Sequence, residues 1–173
     1  MARKPWPVRG SPLLRRPSPP PLGSAELSDL VRECLSRAPQ PDGLYVAQPG
    51  APESRALRRA RVTHGLPPWE DLIAVWQWSR LSGVMGARPS SLVFTGRDIR
   101  MAEPRLRLAI AYETFGAYTF RYEYTPGGAH LGPDVFELVI DGPTPWRSPN
   151  ANQDAELIAD DLTRIKALVA TTG

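Results

Sequence analysis

The side chains most able to do chemistry are few and lie far apart in the sequence. The chain of 173 residues holds two histidines, His64 and His130, and a single cysteine, Cys34. Neither histidine stands at a metal-ligand spacing from the cysteine or from the other histidine, so we expect no metal site and no cofactor. An enzyme with an unrecognised acid or base near His130 and Glu113 remains one alternative.

One loop between two predicted strands combines arginines with glycines, residue types that can hold an anion. Arg80, Gly83, Gly86 and Arg88 would bring guanidinium groups and backbone amides to a phosphate. The apolar tip Val84-Met85 favours a protein contact or an ordinary surface loop over a phosphate site. All three interpretations stay open.

A second group of cations lies on a predicted helix over residues 53 to 64. Its arginines are Arg55, Arg58, Arg59 and Arg61, and a thin apolar side is supplied by Leu57, Ala60 and Val62. Such a helix could meet phosphates or an acidic partner, although a solvated helix face is the more common explanation of a charge run.

The first 23 residues form a basic, proline-rich tail. This tail holds five of the 21 basic residues, including Arg15 and Arg16, and none of the 18 acidic ones. The rest of the chain therefore has two more acids than bases and carries no overall basic footprint for nucleic acid. Because it holds seven prolines, the tail is expected to be disordered, with polyproline-II character. It is either a ligand for a proline-binding groove or an extension without function.

The composition places the protein among soluble globular proteins. Pro and Arg interrupt every apolar pair of the tail, so it does not resemble a secretion signal, and no stretch is apolar enough for a transmembrane helix. The single cysteine excludes an internal disulfide and fits a reducing compartment. We therefore expect a cytoplasmic protein.

The periodicity of apolar residues predicts helices at both ends of the folded part and strands between them. A helix begins at Ser24, with Cys34 on its apolar stripe, and residues 39 to 53 are predicted to be a loop. Alternating residues then predict six short antiparallel strands: 71–78, 91–95, 98–101, 106–112, 118–124 and 135–140. Gly96-Arg97 is predicted to form a type II′ turn. Ser148-Pro149 is predicted to start a C-terminal helix whose apolar stripe holds Leu157, Ile158, Leu162, Ile165, Leu168 and Val169, with Asp160, Asp161, Arg164 and Lys166 largely outside it.

Three stretches carry a likeness to known domains: "LIAVWQWSRLSGVMGARPSSLVFTGRDIRM" (72–101), "LAIAYETF" (108–115) and the terminal helix after "DGPTPWRSPNANQ". In these stretches and in the order of its elements, the chain resembles the bacterial pleckstrin-homology-like (PH-like) domains over about residues 54–170. It implies an α+β fold: an antiparallel, partly open barrel capped by the C-terminal amphipathic helix. The expected organisation is a tail (1–23), a helical arm (24–66) and a PH-like barrel with its C-terminal helix (67–173).

Scaffolds of this kind generally bind peptides, proteins or head groups. We therefore expect a non-enzymatic interaction or adaptor module that binds a protein partner through the barrel and the tail. The alternative is binding of nucleic acid or an anionic surface through the tail and the arginines of residues 55 to 61. The expected binding residues are Arg80, Gly83, Gly86, Arg88, Arg55, Arg58, Arg59, Arg15 and Arg16.

Overall fold

The computed structural model describes residues 24–78, 90–103, 106–128, 133–148 and 151–172. Three α-helices, eight strands and one 3₁₀ helix lie in these ranges, and the prediction of an α+β fold is confirmed. In chain order they are α1 (Ser24–Leu35), β1 (Leu44–Val46), α2 (Arg55–His64), β2 (Leu72–Trp78), β3 (Ser90–Thr95), β4 (Asp98–Glu103), β5 (Leu106–Ala111), the 3₁₀ helix (Tyr112–Ala117), β6 (Thr119–Thr125), β7 (Val135–Asp141), β8 (Trp146–Arg147) and α3 (Ala155–Thr172).

The strands form two antiparallel sheets that do not close into a barrel. The first sheet has the order β1-β2-β3-β4-β5 and the second has the order β6-β7-β8. Neighbouring strands in both sheets follow one another along the chain, as in a meander, although α2 lies in the connection from β1 to β2. The expected barrel is therefore replaced by two sheets with the 3₁₀ helix between β5 and β6.

One hydrophobic core joins the two sheets to α1 and α3. The stripe of α3 contributes Ile158, Leu162 and Ile165, all at most 1% exposed, and α1 contributes Val31, Cys34 and Leu35. The expected C-terminal helix with a buried stripe is thus confirmed. Because α1 shares this core, the first helix of the predicted arm packs with the strands and α3.

Helix α2 covers the opposite face of the five-stranded sheet. Leu57 and Ala60 of α2 form a second buried cluster with Val75 and Leu72 of β2. Strand β2 is therefore covered on both faces. Strict alternation over the predicted strand 71–78 would put Leu72 on the same face as Ala74 and Trp76, but the register of β2 against β3 shifts between Leu72 and Ala74. That irregularity turns Leu72 toward α2 and Ile73 toward the main core.

Two further expectations from the sequence are wrong in their local detail. The predicted loop at 39–53 contains β1, which pairs with β2 from Leu44↔Trp76 to Val46↔Ala74. At the β3–β4 connection, Gly96 is not among the glycines with positive φ, as a type II′ turn would need at its first central position. The hydroxyl of Thr95 holds this turn instead, accepting from the N–H groups of Arg97 (3.2 Å) and Asp98 (3.1 Å).

The C-terminal helix begins later than the sequence indicates. It starts at Ala155, and the predicted capping residue Ser148 lies buried in the second sheet, where its Oγ accepts from the Leu138 N–H at 2.8 Å.

Asp161 was predicted to lie outside the apolar stripe, but it is 7% exposed. Tyr112, predicted to end a strand, belongs to the 3₁₀ helix and donates its hydroxyl to the Thr95 carbonyl at 3.0 Å. Within the described ranges, none of the helices combines the length and the apolar character that crossing a bilayer requires.

Candidate functional site

Local capping and one buried stripe determine which side of α2 faces solvent. The Ser54 side chain accepts from the Leu57 N–H at 3.3 Å, and Gly65 ends the helix in the left-handed conformation at φ 64°, as helix termini commonly require. With Leu57 and Ala60 against the sheet, the arginines at 55, 58 and 59 point outward and are exposed. Val62 was predicted on the apolar side but is 82% exposed.

Most arginines that the structure describes are paired with an acid, but the exposed arginines of α2 are not. Among the arginines of the described ranges, those without an ion pair are Arg55, Arg58, Arg59 and Arg107. Arg107 lies on β5, and its guanidinium is 3.8 Å from the position of a Cβ built on Gly65, at the end of α2. We call these four residues the arginine face. Their uncompensated charge makes this surface attractive to an anionic ligand.

The fourth arginine of α2, Arg61, has a structural role instead. It forms an ion pair with Glu53 and donates to the carbonyls of Pro67 (2.8 Å) and Glu70 (3.0 Å). These contacts connect α2 to the segment that leads into β2. Arg61 therefore does not belong to the free cationic cluster that the sequence suggested.

A cleft of about 400 Å³ opens between the first turn of α2 and the outer face of β1 and β2. Its lining residues, which we call the α2 cleft, are Tyr45, Ser54, Arg55, Ala56, Arg59 and Gln77. Arg55 and Arg59 are four residues apart and so lie on the same side of the helix. Two guanidinium groups, a phenol and an amide converging on one cleft are suited to a carboxylate or a phosphate.

Sequence reasoning missed Tyr45 and Gln77 as members of this site. Tyr45 lay in the predicted loop 39–53, and Gln77 lay in the predicted strand 71–78. Tyr45 is 44% exposed, and the half-buried side chain of Gln77 forms no hydrogen bond with any residue that the structure describes. A lone tyrosine between Pro/Gly-rich segments was the available signal, but only the pairing of β1 with β2 brings it to α2.

A second cleft, of about 370 Å³, lies beside Trp69 and the segment before β2. Its charged residues neutralise one another: Arg32 lies 3.5 Å from Asp71, and Arg61 is paired with Glu53. The α2 cleft has no acid in its lining. Of the two, the α2 cleft is therefore the better candidate for a charged ligand.

Glu70 is the most deeply buried ion-paired carboxylate next to this second cleft. It is 4% exposed, and its Oε1 accepts from Arg97 at 3.1 Å and from Arg100 at 2.5 Å. Arg97 also lies over the Trp69 ring, 5.6 Å from its centroid. These contacts hold the segment before β2 against the β3–β4 hairpin. The charge of Glu70 therefore has a structural role.

His64 and Ser91 form a buried pair, with His64 Nε2 2.8 Å from Ser91 Oγ. Burial and the positive charges of Arg100 and Arg107 lower the pKa of His64 to about 4. The imidazole is thus neutral near pH 7. Both residues are less than 9% exposed and neither lines the α2 cleft, so the pair joins α2 to β3.

Cys34 and Glu113 are the remaining reactive side chains that the sequence singles out among the described residues. Cys34 is buried, as predicted, and burial raises the pKa of its thiol, which disfavours the nucleophilic thiolate. The parts of the chain that the structure describes contain no group of three or more His, Cys, Asp or Glu side chains able to hold a metal ion. Glu113 is exposed on the 3₁₀ helix.

Several residues singled out in the sequence lie outside the described residues. These are Arg15, Arg16, Arg80, Gly83, Gly86, Arg88 and His130. Of the expected binding residues, the structure brings Arg55 and Arg59 together at the α2 cleft and places Arg58 beside them on the arginine face. Compared with protein-family models, curated proteins and solved structures, the chain matches none of them.

Proposed function

We propose that the chain is a non-enzymatic interaction module on a PH-like scaffold, and that it binds an acidic segment of a protein partner on its arginine face. The observation that carries this proposal is the absence of an acidic partner for Arg55, Arg58 and Arg59 within the described ranges, next to a cleft that two of them line. Elsewhere in those ranges the arginines, Arg107 apart, are paired with acids. An acidic segment would supply the missing countercharge.

The scaffold part of the proposal is supported by the order of elements. Antiparallel strands in two sheets are followed by α3, whose apolar stripe packs into the core between them. Strand β1 and helix α1 lie outside the part of the chain that the resemblance covers. The α2 cleft, on which the binding proposal rests, takes Tyr45 from β1 and its other lining residues from the part that the resemblance covers.

Binding, rather than catalysis, is the activity that the described groups favour. The neutral His64 is hydrogen-bonded to Ser91 inside the protein, and the α2 cleft holds cations and neutral polar groups without a carboxylate or a histidine. Guanidinium groups do not serve as proton-transfer bases at neutral pH. They bind and orient anions instead.

The test measures binding of the full chain to immobilised poly-glutamate at low ionic strength. We expect the double substitution Arg55→Gln/Arg59→Gln to weaken binding roughly tenfold, which corresponds to about 1.4 kcal/mol. The matched control is Arg37→Gln/Arg147→Gln, which removes the same charge from exposed arginines that are paired with acids. Equal weakening by both double variants would show general charge attraction and overturn the proposal.

The same assay with a single-stranded DNA oligonucleotide tests the alternative function, which is binding of nucleic acid. Tighter binding to DNA than to poly-glutamate, with a steep loss between low and physiological salt, would favour nucleic acid. The basic tail is tested in the full chain by Arg15→Gln/Arg16→Gln. If the tail adds a second contact, this variant also weakens binding to poly-glutamate.

A further inference from the structure

Among the strands that the structure describes, none pairs with the outer edge of β1, which lies next to the α2 cleft. Strand β1 is first in the order of the five-stranded sheet, and β2 is its sole neighbour among the described strands. An edge strand exposes backbone N–H and C=O groups that can pair with another extended chain. Edges of this kind are a recurring way of binding peptides.

The hydrogen bonds on either side of β1 show which of its backbone groups point outward. Gln77 donates its N–H to the Gly43 carbonyl at 3.0 Å, and Ala47 donates to the Ile73 carbonyl at 2.7 Å. The backbone N–H and C=O groups of successive residues point to alternate sides of a strand. Those of Tyr45 therefore also point toward β2, while those of Leu44 and Val46 point away from it. The Leu44 N–H is used locally by the Pro41 carbonyl at 3.2 Å.

Val46 therefore presents both an N–H and a carbonyl to the open edge, and Leu44 presents its carbonyl. The Val46 N–H and C=O point away from β2, and no other described residue is hydrogen-bonded to them. A segment pairing with β1 would use these three groups. Three groups give limited affinity, so side-chain contacts must supply most of the discrimination.

If a strand is added to this edge, sheet geometry determines where the side chain opposite Tyr45 lies. Paired residues of neighbouring strands put their side chains on the same face of a sheet, with Cβ atoms about 4.5 to 5.5 Å apart. On that face Tyr45 borders the α2 cleft together with Arg55 and Arg59. An aspartate or glutamate at this position would lie on the side of the sheet where Arg55 and Arg59 line the cleft.

We infer that the partner binds by adding an extended segment to the free edge of β1, with one acidic side chain opposite Tyr45 in the α2 cleft. This inference rests on the proposed function and specifies its ligand as a β-strand with a single essential acid. The two neighbouring residues of the segment point to the other face of the sheet, so an acidic charge at those positions is not required.

The test begins with peptides selected from a random library on the full-length wild-type protein. We expect the selected peptides to be rich in β-branched residues around one Asp or Glu, and replacement of that acid by its amide to weaken binding about tenfold. Val46→Pro removes the outward N–H without removing a hydrogen bond to β2. The matched control, Val46→Ala, removes side-chain contacts but keeps the N–H.

Val46→Pro should bind the selected peptides about tenfold more weakly than Val46→Ala, at unchanged thermal stability relative to that control. In the wild type, peptide should slow hydrogen exchange of the Val46 amide and leave the Tyr45 amide, already paired with β2, nearly unchanged. This exchange measurement decides the question even if Val46→Pro folds poorly.

The two proposals fail differently. If Arg55→Gln/Arg59→Gln abolishes binding while Val46→Pro and Val46 exchange have no effect, the arginine face binds its ligand without strand addition, and this inference is wrong. If the arginine substitutions also have no effect, the proposed function falls with it. Failure to select any peptide that depends on an acid would overturn the inference as well.

Discussion

Gly96, in the β3–β4 turn, lies directly against Ser28 of α1. A Cβ built on Gly96 would be 2.7 Å from Ser28 Oγ and 3.5 Å from Asp71 Cβ, and the Gly96 N–H donates to the Asp71 carbonyl at 3.0 Å. Ser28 is 3% exposed, and its Oγ has no hydrogen-bond partner in the part of the chain that the structure describes. The glycine therefore allows the hairpin to approach α1 closely.

The first prediction is that Gly96→Ala destabilises the protein by about 1 to 3 kcal/mol, because an added methyl group overpacks this contact. Thermal unfolding of the variant measures the effect. Gly116→Ala is the control, since a Cβ there meets no atom within 4 Å. Adding Ser28→Ala to Gly96→Ala should restore most of the loss, and no restoration would mean that Ser28 is not the obstacle.

The second prediction is that the titration of His64 lowers the free energy of unfolding at acidic pH. The ordinary pKa of histidine is 6.5, and in the folded protein that of His64 is lowered to about 4. Between these values the unfolded chain binds more protons than the folded one, so the free energy of unfolding falls as the pH drops from 6.5 to 4. Relative to His64→Gln, the wild type should lose about 2 to 3 kcal/mol over this range.

Urea unfolding of the wild type and His64→Gln at several pH values checks this difference. Glutamine keeps a hydrogen-bonding group near Ser91 but does not titrate, which isolates the ionisation. A difference between the two proteins that stays constant from pH 7 to pH 4 would contradict the buried, neutral state of His64.

Asp161 gives a third prediction with the opposite sign. Burial raises the pKa of its carboxyl from 3.8 to about 6, against the opposing effect of Arg164. The folded protein then binds more protons between these values, so the contribution is fully present below pH 4 and is lost as the pH rises through 6. Relative to Asp161→Asn, the wild type should lose about 2 kcal/mol from pH 4 to pH 7, because this range spans the difference between the two pKa values.

The same series of urea curves measures this effect, with Asp160→Asn as the matched control because Asp160 is exposed. A wild-type protein that gains stability over Asp161→Asn as the pH rises would show that the carboxylate is stabilised by its surroundings. That result would contradict a raised pKa of Asp161 in the folded protein.

The fourth prediction is that Glu70→Gln costs about 2 kcal/mol or more in free energy of unfolding. It removes a buried carboxylate that pairs with Arg97 and Arg100, so Arg97 loses its acid, while Arg100 keeps its pair with Asp98. Uncompensated charge at a partly buried site is expensive. Glu33→Gln, which breaks an exposed pair with Arg37, should stay within about 0.5 kcal/mol; urea unfolding that finds the two variants equal would refute the structural role of Glu70.

Much of the secondary structure follows from short-range patterns in the sequence. The stripe of α3, the alternation in β3 to β7 and the apolar face of α1 each depend on the spacing of neighbouring residues, which the helix and strand periods determine directly. These elements form close to where the periodicity predicts them. The position of Arg55, Arg58 and Arg59 on one helix was predictable for the same reason.

The site itself depends on contacts between residues distant in sequence, which local patterns do not encode. Strand β1 has no alternation of its own and becomes a strand because β2 offers it an edge, and only that pairing brings Tyr45 and Gln77 to α2. The four arginines of α2 look alike in the sequence. Tertiary packing separates them, because Glu53 and the carbonyls of Pro67 and Glu70 engage Arg61, whereas no acid lies against the outer face of the helix within the described ranges.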